Sequence, residues 1–165
     1  MEPVQLPPLV AEAMKRAAVV WLAPVGDPAV AAWLLWQDGS AYVVGGPGEQ
    51  PLTGIEAGCT ALVTVAAPDN HARIATWVAA VEELQPGGAE WDRVVSQLVA
   101  KRLNAAADAA GRWARSGRIL RLTPTGVAEA GDTLPTTSLA AAPVPTRATT
   151  PYRMPRPGSP EVTRT

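Results

Sequence analysis

Twelve residues from Arg73 to Leu84 constrain the fold of this chain more than any other stretch. Alternation along an extended strand puts Ile74, Thr76, Val78 and Ala80 on one face and Ala75, Trp77, Ala79 and Val81 on the other, so neither face is polar. In a chain of 165 residues, a strand with two apolar faces points to a barrel wall whose outer side meets another subunit. Pro86-Gly87-Gly88 ends the strand.

The rest of the chain supplies partners for such a wall. Leu9, Val10, Ala13, Met14 and Ala17 recur at helical spacing, which predicts a helix over 6–17 opened by Pro7 and Pro8. Strands are expected over 19–23, 30–37, 41–44 and 61–66, with turns at Gly26-Asp27-Pro28, at Asp38-Gly39 and around Pro68-Asp69-Asn70. Trp91, Val94, Val95, Leu98 and Arg102 mark one side of a helix over 89–104, and 118–122 is a closing strand stopped by Pro124. The expected fold class is mainly β with flanking helices.

Composition bounds the organisation. Residues 1–131 hold one domain; 132–165 contain seven prolines and eight threonines with scattered apolar residues, and are expected to be a disordered or loosely attached tail. The proline-rich segment 146–157 is a candidate extended ligand, although a spacer is the simpler role. The first 131 residues carry 10 basic and 13 acidic side chains and the tail 4 and 2, neither of which suggests a nucleic-acid surface. The apolar runs 17–25 and 29–36 fall well short of the roughly 20 residues of a membrane helix. The N-terminus lacks a secretory pattern, and Cys59 is the only cysteine, so a cytoplasmic location is expected.

Candidate chemistry is sparse. Gly45 to Gly58, GGPGEQPLTGIEAG, breaks an apolar run, and backbone amides at Gly45, Gly46 and Gly48 would suit an anion-binding nest. No Lys or Arg occurs between Arg16 and Arg73, so help to an anion would come from the hydroxyls of Thr53, Thr64 or Thr76, or from Arg73, Lys101, Arg102 or Arg112 reaching in. GGPG lacks the lysine of a P-loop, and a tight crossing between sheet edges is its simpler role. Glu49 reads as one solvated acid in a turn. The single histidine, His71, and the single cysteine exclude a histidine-dependent triad, and no metal site is expected; Cys59 reads as a small buried residue beside a strand. Arg102 is placed on the arc of Trp91, Val95 and Leu98, so it needs an acceptor, either a carboxylate such as Asp108 or a ligand phosphate. Trp77 and Trp113 suit either core packing or stacking on a flat ring.

Helix, three strands, a Gly/Pro-rich crossing, two strands, a helix and a closing strand form the order of the split β-barrel. With TW at 76–77, Pro86 followed by EW at 90–91, and RLN at 102–104, the stretch from about 15 to 127 resembles an actinobacterial branch of the pyridoxamine-phosphate-oxidase-like, FMN-binding split-barrel superfamily. The resemblance implies a six-stranded antiparallel split β-barrel, a homodimer, and FMN or a deazaflavin at the dimer interface. Gly45, Gly46, Gly48, Thr64, Thr76, Trp77 and Arg102 are the cofactor-binding candidates it leaves. It also implies a flavin- or deazaflavin-dependent oxidoreductase in which the cofactor supplies the reactive atom. The missing cations before and on the fourth strand keep two alternatives open: a dimer that has lost the cofactor and acts as a binding or scaffold protein, and a carrier that uses the same cleft without catalysis.

Overall fold

Leu34 is the residue on which the architecture turns. In a computed structural model of the chain, which describes residues 2–67, 72–102 and 105–130, β1 (Val19–Pro24) is followed by β2 (Val30–Trp33) and β3 (Leu35–Gln37), with only Leu34 between the last two. Yet β2 and β3 lie at opposite edges of a single antiparallel sheet, in the order β2-β1-β5-β6-β7-β4-β3. One residue cannot span an open sheet, so the edges must curl together, and Leu34 sits fully buried at the seam. The expected single strand over 30–37 is therefore two, and the sheet has seven strands where six were expected. The extra strand arises because the chain changes neighbours at Leu34, from β1 on one side to β4 on the other.

The remaining strands are β4 (Ser40–Gly45), β5 (Thr60–Ala66), β6 (Arg73–Leu84) and β7 (Arg118–Ala130). Asp38 and Gly39, both at positive φ, form the tight turn from β3 to β4. β7 runs well past the expected stop at Pro124, which pairs with Ala79 beside a register shift in β6. A bulge leaves a ladder position without its hydrogen bond, so a proline without an N–H is tolerated there, and the Pro124 carbonyl accepts instead from Val4 N–H at 2.8 Å.

Two apolar cores result. Inside the curl, Val20, Leu22, Val43, Val63, Trp77, Leu120 and Leu122 pack together, capped by Val10 and Met14 of α1 (Pro8–Arg16). Outside it, α2 (Ala89–Lys101) and α3 (Ala109–Ser116) cover Tyr42, Val44 and Ile119 with Trp91, Leu98 and Trp113. β4 is thus the strand buried on both faces, whereas the outer face of β6 has Ile74, Val78 and Ala80 only half-buried. α2 ends at Lys101 with Arg102 as its cap, three residues before the expected end. No helix among the described residues is long and apolar enough to cross a membrane. His71, Asn104 and the expected tail 132–165 lie outside the described residues.

Candidate functional site

The Gly-rich stretch leaves β4 at Gly45, which still pairs with Arg118 of β7. Gly46 then takes φ 119°, and a Cβ there would stand 2.9 Å from Gly117 Cα, so only glycine lets the loop pass the end of α3. The Gly46 carbonyl accepts the Glu49 N–H at 3.0 Å, closing a turn that swings Glu49 inward.

Glu49 gathers donors from three places. Its side chain has no exposed surface, against the solvated role expected for it. Oε2 accepts from Arg102 Nε at 2.8 Å, and Oε1 accepts from Arg112 Nη2 at 2.7 Å and Trp113 Nε1 at 2.9 Å. Arg102 Nη2 also donates to the Gly48 carbonyl at 3.1 Å. Burial alone would raise the Glu49 carboxyl; the bonds from Arg102, Trp113 and Arg112 outweigh it and hold the group below the usual glutamate range. The acceptor sought for Arg102 is therefore Glu49, while Asp108 bonds Arg115 at 2.6 Å on the exposed side of α3.

The next residue secures the sheet edge. The Gln50 amide accepts from Trp33 N–H at 2.7 Å and donates to the Trp33 carbonyl at 3.0 Å, standing in for a strand neighbour at the end of β2. Trp33 in turn packs on Trp113, with ring centroids 6.4 Å apart. One loop thus holds two residues, Trp33 by its backbone through Gln50 and Arg102 by its side chain through Glu49.

Those two side chains line a cleft of about 380 Å3 together with Ala18, Val19 and Lys101. It opens beside the outer face of the sheet, where Val19 is 51% exposed. Lys101 makes no ion pair or hydrogen bond among the described residues, and its apolar surroundings push the ammonium below the usual lysine range. A larger groove of about 540 Å3 shares Ala18 and Val19 and continues along Leu9, Ala13, Trp21 and Ile74. Its cation, Arg16, is already paired with Glu12, so the smaller cleft holds the charge available to a ligand.

The other sequence candidates are dispersed. Thr64 and Thr76 face each other across β5 and β6 with their hydroxyl oxygens 2.7 Å apart, each answering the other on the outer face. Trp77 has no exposed surface; it lies inside the barrel edge-on to Trp36, centroids 6.0 Å apart, so core packing rather than stacking on a ligand is the arrangement it adopts. Thr53 is exposed in the loop, Arg73 is half-buried at the start of β6, and Cys59 is free and half-buried against the barrel core. Among the described residues, no three His, Cys, Asp or Glu side chains are grouped to hold a metal ion. Sequence reasoning missed Gln50, the structural role of Glu49 and the helix α3. Glu49 and its partners stand 53 to 64 residues apart, and no periodicity reports a pairing at that distance.

No family model matches the chain, and neither does any curated protein. Among solved structures, HutZ, a heme storage protein from Vibrio cholerae, superposes with a TM-score of 0.53 at 15% identity, covering 73% of this chain and 91% of that one. The fold shared with it is a curled antiparallel sheet with flanking helices, of split-barrel type. Similar chains include an F420 reductase at 19% identity, TM-score 0.47, covering 74% of this chain and 98% of that one. An FAD- and heme-binding protein from Mycobacterium smegmatis is 14% identical, TM-score 0.48, covering 88% and 94%. At such identities the likeness is one of fold.

Proposed function

We propose that this split-barrel chain works as a homodimer that holds a flat heteroaromatic cofactor, a flavin or a deazaflavin, in the cleft between Val19, Trp33 and Lys101. The observation that carries this reading is the cleft itself, which sets the Trp33 indole, packed on Trp113, and Lys101, which has no ionic partner among the described residues, beside an apolar sheet face. That face gives the dimer its physical reason. Trp21, Thr64 and Thr76 form one outward row across β1, β5 and β6, and Ala23, Leu62 and Val78 form the next, with Trp21, Leu62 and Val78 all half-buried in the single chain. A partner laid over those rows would cover them and wall the cleft from the far side. HutZ, one neighbour with this fold, is a heme storage protein, and heme like a flavin is a flat conjugated ring.

The residues fit the ring better than they fit a flavin phosphate. Trp33 offers an aromatic surface and Val19 an apolar one, but Lys101 is a single cation, and both Arg102 and Arg112 are engaged by Glu49. A bound flavin or deazaflavin would supply the redox chemistry, the protein holding it in place and keeping water away from one side. Oxidoreductase activity, the assignment to an actinobacterial branch and a cytoplasmic location belong to this proposal. A second reading, a dimer that binds no cofactor and acts as a scaffold, is favoured by the engagement of both arginines with Glu49.

Titration of the purified protein with flavin mononucleotide, riboflavin and a deazaflavin, followed by ring fluorescence, separates the two. Quenching at micromolar ligand that weakens in Trp33→Ala supports the first. Protein that is colourless and quenches none of the three leaves the scaffold reading standing.

A further inference from the structure

We propose that Glu49 sets the ligand class of the cleft: by engaging Arg102 and Arg112, it restricts the occupant to a flat heteroaromatic whose binding gains nothing from a phosphate group. This rests on the cofactor-binding reading above and goes beyond it by naming which ligands the cleft selects and which residue does the selecting.

Arg102 lines the cleft, so a guanidinium stands in its wall. Its Nε and Nη2 nevertheless donate to Glu49 at 2.8 Å and to the Gly48 carbonyl at 3.1 Å, which turns one bidentate edge of the fork toward the loop. Arg112 Nη2 and the Trp113 N–H converge on the other Glu49 oxygen. Three donors, one from the cap of α2 and two from α3, thus meet on one carboxylate, the arrangement that would otherwise receive an oxyanion.

A ligand phosphate competing for these donors faces two costs. Glu49 is tethered to the same loop, so its effective concentration exceeds that of any free ligand. Displacing it would also strand an ionised carboxylate with no exposed surface away from its partners. The cluster keeps one net positive charge, but the donors that would grip a phosphate point at the loop. Lys101 is then the cation left to the cleft, a point charge without the planar fork that grips a phosphate through two parallel bonds.

The test compares two ligands with the same ring, riboflavin and flavin mononucleotide, on the full chain and on Glu49→Ala. Lys101 and Trp33 are unchanged throughout. The wild-type protein is expected to bind both flavins within about threefold of each other. Glu49→Ala releases Arg102 in the cleft wall, and because a charge-assisted hydrogen bond is worth roughly a factor of ten or more in affinity, preference for the phosphorylated flavin should rise at least about tenfold. Should Glu49→Ala fail to fold, Glu49→Gln removes the charge while keeping the shape and is expected to move the preference in the same direction. A wild-type protein that prefers flavin mononucleotide by more than about tenfold overturns the inference, as does an unchanged preference in the folded variant, while in both cases the cofactor-binding reading survives. If wild type and variant bind neither flavin, the cofactor-binding reading itself falls and this inference with it.

Discussion

Glu49 carries the sharpest consequences at the scale of single residues. A carboxylate with no exposure and three donors is costly to remove, because Arg102 and Arg112 lose their acceptor in a partly buried place. Glu49→Ala is expected to lower the unfolding free energy by about 2 kcal/mol, less than for a fully buried pair because both arginines keep some exposure, and a urea midpoint measures it. The pH dependence follows from the direction of its shift. Its folded-state pKa lies below the unfolded one, so its contribution is complete above the ordinary glutamate value of about 4.5 and is lost as pH falls below that toward the folded value. Wild type and Glu49→Gln should therefore differ most near neutrality and converge in acid; a gap that stays constant down to about pH 3 would show that the charge contributes nothing. Gly46 is the other constrained position. Alanine there meets Gly117 Cα at 2.9 Å on a backbone at φ 119°, and Gly46→Ala should cost about 2 kcal/mol or more.

Among the elements, β4 is the strand whose place was least readable. Its run Ala41 to Val44 is short and apolar on both faces, which signals burial without saying what does the burying. Tertiary structure supplies the answer: Ala41 and Val43 point into the barrel, while Tyr42 and Val44 meet α2 and α3. Tyr42 ties strand to helix by donating to Glu90 at 2.7 Å, and Glu90 also accepts from Arg121. Burial, reinforced by the bond and charge of Glu90, pushes the Tyr42 phenol up to about 12. Since the folded value lies above the unfolded one, this group stabilises the fold fully below about pH 10 and ceases to do so as pH rises through about 12. An ultraviolet titration should show one phenolate step delayed to that range, and Tyr42→Phe should abolish it. Gln50 works on the opposite edge. Gln50→Ala removes both bonds to Trp33, and faster hydrogen exchange at the Trp33 amide, with about 1 kcal/mol of lost stability, is the expected result.

For the whole molecule, the outer rows on β1, β5 and β6 are the surface at stake. Leu62→Asp and Val78→Asp each put a charge among half-buried apolar neighbours that pair in register across β5 and β6. If the chain dimerises through that face, both variants should sediment as monomers with unchanged far-ultraviolet dichroism. Equal sedimentation of wild type and variants would remove the dimer from the proposal. Flavin binding should weaken along with dimerisation if the partner walls the cleft.

What the sequence determined by itself is local: turns at Gly26 and Asp38-Gly39, the alternation of β6, the amphipathic α1 and α2, and the order of elements that spells a split barrel. Each of these depends on neighbours a few residues away, which is the range over which periodicity and turn chemistry carry information. Tertiary structure decided the rest. The change of neighbours at Leu34 that divides one expected strand between two sheet edges, the continuation of β7 past Pro124 at a bulge, and the meeting of Glu49 with Arg102, Arg112 and Trp113 all depend on contacts distant in sequence. A carboxylate in a glycine-rich turn reads as solvated until the barrel closes and brings two helices down upon it.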